Sequence, residues 1–159
     1  MVDQTYINIL TDTLNKKTNI LDQLIRFTVI QEDIVTGEAP DMNRLDQTIS
    51  EKEVLIAQLE QLDEGFEKVY LHVKEDVTKN KEGYKDQIII LQDLIRLVTK
   101  KSTALQAAEF RNKNKFANFF VGKKKEIKNF KMSSQTANSY YRSATEHQQG
   151  QAHFLDKKK

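Results

Sequence analysis

The stretch "MNRLDQTISEKEVLIAQLEQLDEGFEKVYLHVKEDV" (residues 42–77) decides the fold. Its main apolar row is Met42, Leu45, Ile49, Ile56, Leu59, Phe66, Tyr70, Val73 and Val77. They follow alternating steps of three and four, interrupted at Lys52 and Asp63. Leu55, Leu62 and Val69 form a flanking row seven apart. Such spacing puts one apolar stripe along a helix, and a period near 3.5 favours left-handed packing at shallow angles. About 38 residues of helix would run about 57 Å.

The neighbouring segments repeat the pattern. Before it, Gly37 and the single proline, Pro40, break the chain, and Asp41 is suited to cap the next helix. Residues 3–35 carry Ile7, Leu10, Leu14, Leu21 and Leu24, widened by Ile20, Ile25 and Phe27 and continued by Ile30 and Ile34. After it, "TKNKEG" supplies Asn80 and Gly83 as turn residues. A third stripe begins near Tyr84 with Ile88, Leu91, Ile95, Val98 and Leu105, broadened by Ile90, Leu94 and Leu97. Short breaks between long helices favour antiparallel neighbours. The expected fold is all-α: an antiparallel three-helix, coiled-coil-like bundle over residues 1–121, with helices at about 3–35, 41–78 and 84–120. Residues 122–159 form a basic, polar tail expected to be flexible or partly helical. Periodicity leaves open whether the protein is a monomer or a homodimer.

Composition narrows the function. The formal net charge of +2 hides a split. Residues 110–159 hold 12 Lys/Arg and 3 Asp/Glu, a net of +9, so residues 1–109 carry −7. The chain has no cysteine, which removes disulfides and thiol chemistry and fits a reducing compartment. No secretory signal is evident in "MVDQTYINIL", and the longest apolar runs, "IIIL" and "FFV", are far shorter than a membrane span requires. The expectation is a soluble, cytoplasmic protein with no membrane insertion.

Catalytic and metal patterns are not found. His72, His147 and His153 lie apart, with no i, i+4 pairing and no carboxylate motif, so no metal is expected. There is no glycine-rich phosphate loop and no G-x-S-x-G. A narrow helical bundle offers little concave space for a substrate. The expectation is a protein that is not an enzyme and needs no cofactor.

The stretch "RNKNKFANFFVGKKKEIKNFK" (residues 111–131) is more informative, since it interleaves eight Lys/Arg with phenylalanines just after Phe110. In one reading Phe116 and Phe120 cap the bundle and the lysines are solvated. In a second, lysines meet phosphates and phenylalanines stack on bases; no recognised nucleic-acid-binding motif accompanies them. The third and favoured reading is a protein partner. Continued as helix, Phe116, Phe120, Ile127 and Phe130 fall on one side and would bury against a partner helix. Adjacent Phe119 and Phe120 cannot both face one core, so one of them faces outward. The client-binding candidates are therefore Phe110, Phe116, Phe119, Phe120, Ile127 and Phe130.

Taken in order, these pieces resemble the FlgN-type flagellar export chaperones. "LDQTISEKEVLIAQLEQLDEGFEKVY" (residues 45–70) resembles the central helix of that family, and "FRNKNKFANFF" (residues 110–120) its apolar-plus-asparagine helix end. The tail resembles the family's in carrying tyrosine within a polar segment and in its ending, "FLDKKK". The resemblance spans essentially the whole chain. It implies a cytoplasmic chaperone that binds unassembled hook–filament junction proteins through a terminal helical segment and keeps them monomeric. It also implies delivery to the export gate of the flagellar type III secretion apparatus. Tyr141, in "YRSATEHQQG", matches the tyrosine that contacts the gate, with Tyr140 as its neighbour. The FliT-type chaperone of the filament cap protein has a similar helical build and stands as the alternative within this class. A coiled-coil nucleic-acid-binding or scaffold protein is the alternative outside it. Phe154 and Leu155 are candidate tail anchors that would fold back on an exposed groove of the bundle.

Overall fold

A computed structural model describes residues 4–122. Three helices account for nearly all of them: α1 (Gln4–Thr36), α2 (Met42–Lys79) and α3 (Lys85–Gly122), with no strand among the described residues. The breaks fall at the turn residues. Asp41, with extended backbone, accepts a hydrogen bond from the Arg44 amide at 3.1 Å and so caps α2. Past the other end of α2, Asn80 Oδ1 accepts from the Gly83 amide at 3.2 Å, and the Asn80 amide donates to the Asp76 carbonyl at 2.9 Å. These bonds close the turn into α3.

Side-chain pairs fix the directions. Lys17 meets Asp63, Thr28 meets Lys52 and Gln31 meets Thr48, so α1 and α2 run antiparallel. Gln4 meets Gln87, Asp22 meets Lys101 and Glu32 meets Lys115, so α1 and α3 run parallel. The topology is up-down-up, and α1 packs closely along both neighbours. In that position α1 buries Ile7, Leu10, Leu14, Ile20, Leu21 and Leu24, with Ile25 and Phe27 partly so.

The core has two parts. The larger cluster runs from the α2–α3 turn inward through Phe66, Tyr70, Val73, Val77, Tyr84, Leu91 and Ile95 to Leu24, Ile56 and Leu105. The smaller one lies at the α1–α2 turn and consists of Ile34, Val35, Leu45 and Ile49, with Ile30, Met42, Phe116 and Phe119 packed on it. Two residues expected to broaden the α3 seam do not: Ile90 and Leu97 are exposed, whereas Leu94 packs on the core beside the buried Leu91, Ile95, Val98 and Leu105.

Candidate functional site

The expected helix spans placed Phe110, Phe116 and Phe119 at the end of the third helix, and α3 carries them there. Their environments differ. Phe110 is 68% exposed, on the side of α3 turned away from the core. Phe116 and Phe119 are half-buried against Ile34, Val35, Leu45 and Ile49. The structure therefore separates a free aromatic from two that close the end of the bundle. The capping reading of Phe116 matches this arrangement. The side chain of Phe120 lies outside the described residues, as do Ile127, Phe130, Tyr140, Tyr141, Phe154 and Leu155.

Three basic residues follow Phe110 along α3. Arg111 and Lys113 are exposed, and Lys115 reaches back to form an ion pair with Glu32 of α1. The hydrogen bond from Lys115 holds the Glu32 carboxyl below its ordinary value, with the charges of Lys115 and Arg111 acting in the same direction.

Directly beneath lies a buried polar layer to which each helix contributes. Thr28 and Gln31 come from α1, Thr48 and Lys52 from α2, and Glu109 and Asn112 from α3, all buried. Lys52 Nζ donates to Glu109 Oε1, to Gln31 Oε1 at 3.0 Å and to Thr28 Oγ1 at 3.1 Å. The Thr28 hydroxyl lies 2.9 Å from Glu109 Oε1, and Gln31 Nε2 donates to Thr48 Oγ1 at 3.1 Å. Asn112 Nδ2 donates to the Thr28 carbonyl at 2.8 Å, while its Oδ1 has no hydrogen-bond partner among the described residues. Burial pulls the Lys52 ammonium below the usual lysine range, and the Glu109 carboxylate works against that pull.

The sequence carried a signal for this layer that the helix pattern alone did not interpret. Lys52 interrupts the stripe of α2, and Glu109 and Asn112 continue the four-and-three register of Val98, Ser102 and Leu105 on α3. A charged or amide residue at a core position is costly unless paired, so such positions on different helices are candidates to meet.

Among the described residues no group of three or more His, Cys, Asp or Glu is placed to hold a metal ion, and no helix is long and apolar enough to cross a membrane. His72 stacks on Tyr6 with ring centroids 5.5 Å apart, tying α2 to the start of α1. No known protein-family pattern, no curated protein and no solved structure matches the chain.

Proposed function

We propose that this protein is a flagellar type III export chaperone of the FlgN type. It binds a helical terminal segment of an unassembled hook–filament junction protein, holds that subunit monomeric and delivers it to the export gate. The observation that carries the reading is Phe110, a large aromatic 68% exposed on the third helix of a three-helix bundle and followed by the exposed Arg111 and Lys113. Its ring offers apolar area that a partner helix would bury. The family-like pattern of residues 45–70 and 110–120 supplies the kind of partner. The work is binding and release in the cytoplasm, without a catalytic step. Tyr141, with Tyr140 beside it, is assigned to gate docking and not to client capture.

The test is titration of the full-length protein with a purified hook–filament junction protein at 50 and 200 mM salt. Binding that changes little with salt, and that weakens at least tenfold in Phe110→Ala with helicity intact, supports the reading. Tyr141→Ala should leave that affinity unchanged and weaken docking at the gate. No binding to any junction protein would sink it. For a phosphate partner met by about six lysines, affinity would instead fall on the order of 10³-fold over the same salt range. A truncation must stop after Gly122, because removing residues from 110 onward would also take Asn112, Phe116 and Phe119 out of the bundle.

A further inference from the structure

The polar layer divides the bundle unequally. On one side is the large cluster of Leu24, Ile56, Leu105 and the residues beyond them. On the other is the small cluster of Ile34, Val35, Leu45 and Ile49. On this shorter side α1 and α2 are joined by the turn between Thr36 and Met42, so they stay together whatever α3 does. The end of α3 is held to them by Phe116 and Phe119, both half-buried, and by the surface ion pair of Lys115 with Glu32.

Peeling α3 away from this end has a natural stopping point. The first step uncovers a small apolar surface. The next reaches Asn112, Glu109 and Lys52, groups that water solvates well, and Asn112 Oδ1 gains the hydrogen bond it lacks inside. Going further would uncover the large cluster, at a much greater cost per residue. Regions with few buried apolar contacts beyond such a boundary open as separate cooperative units.

We propose that residues 112–119 of α3 are a releasable arm, hinged at the polar layer and latched by Phe116 and Phe119 onto Ile34, Val35, Leu45 and Ile49. The arm opens as one unit while the rest of the bundle stays folded. Opening presents both phenylalanines and the apolar corner of α1 and α2 at the same moment, next to Phe110. Apolar surface that the closed bundle hides is thereby available on demand.

Native-state hydrogen exchange on the full-length protein tests the arm. The expected profile is a step, with the amides of Lys113–Phe119 sharing one opening equilibrium at least tenfold more populated than that of Leu91–Leu105. Phe119→Ala should accelerate all the arm amides together and leave Leu91–Leu105 unchanged. Joining the clusters with Lys52→Met plus Glu109→Leu should shrink the step; if that variant does not fold, Phe119→Ala decides. Simple fraying would give a smooth slope toward the helix end. Such a slope, a single rate across both regions, or equal acceleration of both by Phe119→Ala would overturn the proposal.

Discussion

Lys17 on α1 donates to Asp63 on α2 across 2.7 Å, and both side chains are only 1% exposed. Together with Lys52 and Glu109, this pair fixes the register of three otherwise repetitive stripes. Sliding α2 by one heptad would put Lys17 opposite Ile56 or Tyr70, and Lys52 opposite Leu21 or Val35. Each such arrangement buries unpaired charge, which costs several kcal/mol per ion. Leucine-rich stripes tolerate slippage; two buried ion pairs at different levels do not.

Breaking one half of the pair is expected to be severe. Lys17→Ala leaves Asp63 buried without its cation and should cost about 3–5 kcal/mol. The double change Lys17→Met with Asp63→Leu should be close to neutral or stabilising by about 1–4 kcal/mol. Urea unfolding of the three proteins checks both. If the double variant loses as much as the single one, packing and not charge is the cause.

Core and surface aromatics and aliphatics should respond differently. Phe66, buried in the large cluster, should cost about 3–5 kcal/mol as Phe66→Ala. Leu71 on the same helix is 63% exposed, and Leu71→Ala should stay within about 0.5 kcal/mol. Phe110→Ala should behave like Leu71→Ala in thermal unfolding.

The start of α2 depends on one carboxylate. Asp41→Ala removes the acceptor for the Arg44 amide and should cost about 1 kcal/mol, whereas Asp41→Asn should retain most of the cap. Chemical denaturation separates the two. Equal losses would show that the charge of Asp41, more than its hydrogen bond, matters at this helix end.

Glu32 gives the fold a pH dependence of definite sign. Its carboxyl is held below the ordinary 4.5, first by the hydrogen bond from Lys115. In the unfolded chain that hold is gone. The contribution is therefore present above pH 4.5 and is lost as pH falls through the lower folded-state value. Lys115→Gln should lower the melting temperature at pH 7 and make a smaller difference at pH 3. A difference that is the same at both pH values would assign the role of Lys115 to packing.

Much of this protein was legible in one dimension. The stripe from Met42 to Val77, the capping Asp41 and the Asn80–Gly83 turn are local features, and local features set where helices begin and end. The expected spans of 3–35, 41–78 and 84–120 compare with Gln4–Thr36, Met42–Lys79 and Lys85–Gly122. A period near 3.5 with short turns then leaves few ways to arrange three long helices.

What only the tertiary structure decided is which residues meet. Lys52 and Asp63 are interruptions in the sequence, and only the assembled bundle shows that one faces Glu109 and the other Lys17. Periodicity gave Ile90 and Leu97 the same standing as Leu94, yet they are exposed while Leu94 is packed on the core. It gave Phe110, Phe116 and Phe119 a common role, but two of them close the small cluster and one faces water. The reason is physical. A helix pattern assigns each side chain an angle around its own axis, and whether that angle ends in a core, an ion pair or solvent depends on the neighbours brought there by the other two helices.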